Sequence, residues 1–600
     1  MPSRQLLAHL HANLLSAVSA AVALLLVPLI GLPTANGQAT ATQPSAATES
    51  GVFVRPSAYQ SSVVAADHQA ASEAGAEILR RGGNVVDAAV ATSFALSVVR
   101  PASCGIGGGG FMVIWDATEQ KAVALDYREQ APAAASADMF AGQNGGPEAG
   151  SVRGGKAIGI PGTVFGLCHA AETYGSLPLS VLLEPAIRLA KEGVLIDGHD
   201  RSAQRDTLRK FDRYPSYHQR FVVFKKLYLN DGVPWKAGDR FYSPLGSVLK
   251  RIAVEGADGF YSGEVSAAIA RTVAKHGGVI SRQDLNSINL KTRIPLHDDY
   301  RGHTIYSMPP ASSGGIALLQ TLQALESWEA VSRSSLRSLR HNSADYVHVV
   351  AEAMKHAFAD RAEFLGDTDF VDVPVERMIS RAYSDQIASK IDLEKTRPLA
   401  AYGRFFAAND GGTSHFSVID AAGNSVACTE TINLTYGSFV VVPEYGILLN
   451  NEIDDFAAQP GKPNAFGLIQ SEANAIDPGK RPLSSMTPTI VVKDGKATYS
   501  TGASGGPKII TASIQSVLNH IVFGMSPAES VSAARFHHQW SPNVLKLEES
   551  LFLEVAEDLK DRGHDVVMSE SMAASQAVAK DQAGLSAGSD PRKHGRPAGQ

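Results

Sequence analysis

Cysteine is nearly missing from these 600 residues: there are three, Cys104, Cys168 and Cys428, an odd number scattered over more than half the chain. That excludes a disulfide framework and any cysteine spacing suited to a metal, and leaves room for one bridge at most. Charge of one sign is lacking too. With 54 Lys and Arg against 60 Asp and Glu, the net charge of -6 offers no basic patch to a polyanion such as nucleic acid. No internal repeat is visible, and no apolar run long enough to span a bilayer follows the N-terminal segment. The glycine run Gly107 to Gly110 lacks the Lys-Ser/Thr and the helix that a phosphate loop needs, so it serves close backbone packing instead.

What is present begins with an apolar stretch from Leu14 to Leu32, interrupted only by Ser16, Ser19, Pro28 and Gly31 and followed by the small residues Thr34, Ala35 and Gly37. It reads as a secretory signal peptide over residues 1–37, the alternative being an uncleaved membrane anchor. Export to a periplasm or the outside is therefore expected. Residues 38–55 are a low-complexity linker, since Ala, Thr, Ser, Pro and Gln without an aliphatic anchor bury too little surface to fold. The polar tail after about Ser589 is expected to be disordered for the same reason.

The remaining length exceeds what one core usually supports, which favours two lobes or two layered sheets. Helices are expected from Ser72 to Arg81 and from Val85 to Val99, the first closed by Gly82 and Gly83, the second ending before Pro101. Phe111 to Trp115 and Val123 to Tyr127 form a hairpin, and residues 160 to 400 are mainly helical, with Ala351 to Phe364 as an amphipathic case. Past Gly411 the pattern becomes strand-rich. Thr413 to Asp420 pairs with Ser425 to Thr431 around Ala421-Ala422-Gly423-Asn424, Ser438 to Pro443 adds a strand, and Pro488 to Val492 pairs with Ala497 to Thr501 around Asp494-Gly495.

One junction carries chemistry. Gly411-Gly412-Thr413-Ser414-His415-Phe416 sets a flexible glycine pair before a hydroxyl residue that opens a strand. On the residues alone an ordinary Gly-Gly turn into a strand is the simpler reading; the other is a self-cleavage site, in which the backbone bends so that the Thr413 hydroxyl reaches the Gly412 carbonyl carbon and shifts the chain to an ester. In that second reading water would release an N-terminal threonine, whose own amine, with an unperturbed pKa of about 8, would serve as general base.

The segment Thr413 to Asp420 resembles the start of the small subunit of gamma-glutamyltransferases, the gamma-glutamyltranspeptidase or glutathione hydrolase family of N-terminal-nucleophile enzymes. Other segments resemble that family in the same order: Asp126-Tyr127-Arg128-Glu129-Gln130-Ala131-Pro132, Met308 to Gly315, Asp360 to Asp367, Asn450 to Phe456, and Arg481-Pro482-Leu483-Ser484-Ser485-Met486. The resemblance implies an α+β fold, a four-layer alpha-beta-beta-alpha sandwich made as one precursor that cuts itself into two subunits. These would be a large subunit, 56–412, and a small catalytic one, 413–600. The cleavage site is then Gly412-Thr413, with Thr413 the nucleophile and Thr431 holding its hydroxyl or amine. Gly505 and Gly506 match the oxyanion hole, although Pro507 after them has no N–H to offer. Arg128, Ser484 and Ser485 match the groups that take a donor's alpha-carboxylate, and Asn433, Glu452 and Asp455 those that take its alpha-ammonium. A lid is implied at Pro460 to Gly467, with Phe466 as an aromatic gate.

The expected activity moves the gamma-glutamyl group of glutathione and related amides onto Thr413, then to water or to an amino acid or dipeptide acceptor. No cofactor and no metal is called for; His537 and His538, adjacent on a strand, face opposite ways and lack a third ligand. Two rivals stand beside this reading. One is a relative on the same fold, a cephalosporin or glutaryl acylase, against which the acidic pair Glu452 and Asp455 argues, or a poly-gamma-glutamate depolymerase; the other is an unprocessed, noncatalytic binding protein.

Overall fold

Alternation along the strands decides which way each side chain faces. In Ser62–Ala66, Val63 and Ala65 enter one hydrophobic cluster and Val64 and Ala66 another. In Gly109–Asp116, Phe111, Val113 and Trp115 share the first cluster, while Met112 and Ile114 share the second. Strands apolar on both faces must be covered on both faces, and here they are. The computed structural model describes residues 57–141, 150–403, 412–457, 471–570 and 572–600. The expected signal peptide, the linker before residue 56 and the lid at Pro460 to Gly467 lie outside the described residues.

Two seven-stranded sheets stack face to face. One runs, edge to edge, through Ala598–Gly599, Ser62–Ala66, Ser414–Asp420, Ser425–Thr431, Gly109–Asp116, Lys121–Asp126 and Lys291–Arg293. The other runs through Ser57–Tyr59, Gly584–Ser589, Ala574–Asp581, Lys496–Ser504, Thr489–Lys493, His303–Ser307 and Leu296–Tyr300. Helices Gln69–Arg80, Val85–Val99, Thr163–Tyr174 and Leu179–Glu192 pack on the outer face of the first sheet. Gly314–Ser332, Ala344–Phe364 and Lys508–Ile521 cover the second, with Ile305, Val491, Tyr499 and Ala577 supplying its outer face. The result is the four-layer alpha-beta-beta-alpha sandwich the sequence implies. Each sheet interleaves strands from before and after Gly412, so that Ser414–Asp420 lies between Ser62–Ala66 and Ser425–Thr431.

The helix Val85–Val99 has the bounds read from sequence, because Asn84 and Asp87 close a capping box at its start. The hairpins around Gly423 and Gly495, both at positive φ, also form as expected. Three expectations change. Ala344–Phe364 is buried nearly all round rather than amphipathic, because it lies under further helices. The strand expected from Ser438 to Pro443 shrinks to Val441–Val442, paired with Ile447–Leu448.

The tail after Ser589 is ordered, which corrects the expectation of disorder. Asp590 caps the turn Pro591–Lys593, Arg592 pairs with Glu548 at 2.5 Å, Lys593 pairs with Asp67 at 2.7 Å, and Ala598–Gly599 adds an edge strand beside Val63 and Val64. Ion pairs to distant partners, rather than apolar burial, hold it. All three cysteines are buried and free, so no bridge forms.

Candidate active site

Strand register builds the centre. Because Ser414 pairs with Glu430, Thr413 lies across from Thr431, and both belong to the alternate positions that face the opposite sheet, as Ile419 and Ala427 do. Thr413 is buried, and its hydroxyl donates to the Gly412 carbonyl oxygen at 2.5 Å. Thr431 Oγ1 lies 3.3 Å from Thr413 Oγ1, donates to the same Gly412 carbonyl at 3.1 Å and accepts from the Asn433 N–H at 2.8 Å. A hydroxyl is thus held against the carbonyl of the peptide it would attack, and a second hydroxyl polarises that carbonyl. On the far side the Lys593 ammonium donates to the Thr413 carbonyl at 2.5 Å. His415 takes no part: its ring is bound to Thr429 and Ser417, and burial lowers its pKa to about 3, so it stays neutral.

One flank of Thr413 is a tight, charged pocket of about 20 Å³ that gathers the residues expected to bind substrate. Arg128, buried, points one end of its guanidinium at Glu452 and the other at Asp455, 2.6 Å away, and donates through Nε to the Pro482 carbonyl. Glu129 lies 3.7 Å from the same guanidinium. The Asn433 side chain donates to the Asn451 carbonyl, which leaves its own Oδ1, like Oε2 of Glu452, buried without a partner among the described residues. Two unsatisfied acceptors so placed suit a cation. Ser484 Oγ accepts from the Met486 N–H at 3.1 Å, which leaves its proton to donate.

Three carboxyl groups around one guanidinium cannot all remain ionised at ordinary cost. Burial pushes Glu129 up to about 7 against the pull of Arg128, and burial likewise holds Glu452 well above the usual carboxylate range. For Arg128, burial alone would lower the pKa, but Glu452 and Asp455 outweigh it and the guanidinium stays charged.

Gly506 lines this pocket and Gly505 a second one, so the two glycines straddle Thr413; both have positive φ, which a side chain would oppose. Pro507 then opens the helix Lys508–Ile521, where a missing N–H is no loss, and the positive end of that helix faces the pocket. The second flank is a cavity of about 390 Å³, lined among others by Ser103, His199, Asp206, Glu548 and Lys593.

The segments that carry the family resemblance converge here. Ser313 donates through both its N–H and its hydroxyl to the Ser484 carbonyl, Asp367 accepts from the Arg481 N–H, and Asn450 ties the Gly107 and Gly159 carbonyls together. Sequence reasoning missed three residues of the site: Glu129 and Arg361, which lie inside quoted segments, and Lys593, whose only local signal is a polar tail. Elsewhere His348, Glu352 and His564 bring their donor atoms within 4.8 Å of one another. Glu352 there already accepts from Lys355 at 2.7 Å, Thr396 at 2.7 Å and Tyr402, so an ammonium fills the role a metal would take.

A family model described as Gamma-glutamyltranspeptidase matches residues 71–600. The chain is 41% identical over 551 residues to the Glutathione hydrolase proenzyme of Escherichia coli K12, covering 91% of this chain and 92% of that one. Among solved structures, cephalosporin acylase from Bacillus halodurans superposes with a TM-score of 0.78 at 25% identity, covering 93% and 98%. Gamma-glutamyltranspeptidase from Helicobacter pylori gives a TM-score of 0.51 at 38% identity, covering 60% of this chain and 97% of that chain.

Proposed function

The chain belongs to the gamma-glutamyltranspeptidase family, and from that premise we propose that it matures by cutting itself between Gly412 and Thr413 and works through the Thr413 so released. It is an enzyme of the N-terminal-nucleophile class that takes gamma-glutamyl groups from small molecules of the glutathione kind. The assignment of roles to residues rests above all on the Thr413 hydroxyl lying on the Gly412 carbonyl beside a pocket of opposed charges.

In the first phase Thr413 Oγ1 attacks the Gly412 carbonyl carbon, its proton passes to the departing amide nitrogen, and Thr431 supports the developing oxyanion. Water then hydrolyses the ester and frees Thr413 at a new N-terminus. The large subunit, 56–412, and the small one, 413–600, stay joined through two shared sheets. The solved Helicobacter pylori chain answers to about the share of this chain that residues 56–412 make up, which supports that division.

In the second phase the free amine takes the Thr413 hydroxyl proton and Oγ1 attacks the gamma-carbonyl of the donor. Arg128 with Ser484 and Ser485 holds the donor's carboxylate, Asn433, Glu452 and Asp455 hold its ammonium, and the amides of Gly505 and Gly506 take the oxyanion. Release of the amine leaves an acyl-enzyme that water, an amino acid or a dipeptide resolves. Export, to a periplasm or beyond, is part of the same proposal; no described helix is long and apolar enough to cross a membrane.

A second reading, an acylase, draws on the Bacillus halodurans likeness. A glutaryl group carries no ammonium, however, and the two unsatisfied acceptors beside Asp455 favour a glutamyl donor. Release of chromophore from a gamma-glutamyl anilide by the wild type, lost in Thr413→Ala, tests the proposal. Turnover of a glutaryl anilide but no glutamyl one would move the assignment to the acylase.

A further inference from the structure

Arg361 lies in the helix Ala344–Phe364, within the segment Asp360 to Asp367, and its side chain is among the largest that are fully buried. It lines the same pocket as Arg128, yet its surroundings differ. Arg128 meets three carboxyl groups. Among the described residues Arg361 donates only to hydroxyls: Nε to Ser313 Oγ at 2.9 Å and Nη2 to Ser485 Oγ at a long 3.5 Å. Its Nη1 is buried and has no hydrogen-bond partner among the described residues. Burial lowers its pKa to about 10 against the pull of Asp455, which is itself engaged by Arg128. A guanidinium this short of acceptors is expensive to bury unless something anionic completes its surroundings.

The hydroxyls it touches have directional consequences. By donating to Ser485 Oγ, at the long limit of a hydrogen bond, Arg361 occupies one of its lone pairs and leaves the Ser485 proton to donate elsewhere. By donating to Ser313 Oγ it fixes a hydroxyl that in turn donates to the Ser484 carbonyl at 2.6 Å. One guanidinium thus supports both serines of the pair through two separate routes.

We propose that Arg361 is a positioning and specificity residue of the donor site, which sets Ser485 as a donor and, through Nη1, favours donors that carry a carboxylate on the alpha-carbon over those whose carboxylate is masked. The proposal rests on the reading of this pocket as the gamma-glutamyl site. Arg128 remains the direct partner of the carboxylate, while Arg361 acts from behind the serines.

The test compares L-glutamate with its alpha-amide as inhibitors of gamma-glutamyl anilide turnover, in mature wild type, Arg361→Lys and Arg361→Gln. Wild type that neither turns over the anilide nor is inhibited by glutamate would overturn the reading of the site itself, before Arg361 is at issue. Given a working wild type, the preference for glutamate over its amide should fall at least tenfold in Arg361→Gln and less in Arg361→Lys. Adding Ser485→Ala to Arg361→Gln should then remove little further preference, since the two act as one unit. Equal weakening of both inhibitors would show a merely structural role and overturn the proposal. So would failure of both variants to mature into two chains, which would place Arg361 in folding or cleavage instead.

Discussion

On one side of Thr413 the wall is made of charges already paired with one another; on the other it is an open cavity of about 390 Å³. The closed side holds Arg128 between Glu452 and Asp455 in about 20 Å³ of free space, so a zwitterionic donor, as proposed above, would enter by exchanging ion pairs rather than by filling a gap. In the proposed function its ammonium would take over from the guanidinium as partner of the acids, and its carboxylate would take the guanidinium. Little net charge is desolvated in that exchange, which is how a buried site can select a doubly charged group without a large penalty. The open side has no such constraint, and its ion pairs, Arg592 with Glu548 and Lys593 with Asp67, belong to the tail. The proposed function thus puts selectivity for the donor on the closed flank and tolerance of leaving groups and acceptors on the open one.

The strongest way to break this contrast is Arg128→Met. It leaves Glu452 and Asp455 buried without their cation, a loss of about 3–5 kcal/mol. Steady-state kinetics on the anilide should show kcat/KM down by at least about 100-fold, mostly through KM, while self-cleavage still occurs on a gel. Equal loss of cleavage would mean that the two functions are not separable.

Thr431→Val removes the hydroxyl that donates to the Gly412 carbonyl. Loss of one such donor costs about 100-fold or more, so conversion of precursor to two chains should slow by that factor, and Thr431→Ser should restore most of it. An unchanged conversion rate would remove Thr431 from the account.

Glu129 sharpens the comparison through pH. Its pKa in the fold, about 7, lies above the ordinary carboxylate value, so the folded state holds a proton that the unfolded state loses from about pH 4.5 upward. Its contribution is therefore harmless at low pH and grows unfavourable as pH rises, levelling off above about 7. Glu129→Gln should make stability less dependent on pH between about 4.5 and 7, by up to about 3 kcal/mol across the window. Denaturant titrations at several pH values read this directly, and identical slopes in wild type and variant would contradict it.

The smallest effect belongs to the open flank. Asp206 lines the cavity and is exposed, and Asp206→Asn should leave anilide hydrolysis within about twofold, since substitutions at such positions rarely exceed 0.5 kcal/mol. A large rise in donor KM would erase the distinction between the two flanks.

Local chemistry made part of this legible in sequence. The apolar run from Val85 that stops before Pro101 marks a helix, Gly423 and Gly495 mark hairpins, and the Gly412-Thr413 junction offers a hydroxyl with a flexible approach, which only the family resemblance turns into a nucleophile. Matches to quoted segments picked out Arg128, Glu452, Asp455, Ser484 and Ser485, and the resemblance added Asn433 from outside them; all six line one pocket. What escaped depends on partners far along the chain. Lys593 reaches Thr413 and Asp67 across more than 170 residues, and nothing in a polar tail announces that. Arg361 was in view within its segment, but only packing reveals that it lies behind Ser485 with a donor unused. The burial that makes Ala344–Phe364 a core helix likewise comes from its neighbours.

The most direct test of the central claim is a time course of intact mass on freshly purified precursor at several protein concentrations. The account predicts that one chain becomes two with first-order kinetics, a half-life independent of concentration, and Thr413 at the N-terminus of the smaller product. A chain that stays whole, a cut at another bond, or a half-life that shortens as protein is concentrated would contradict it.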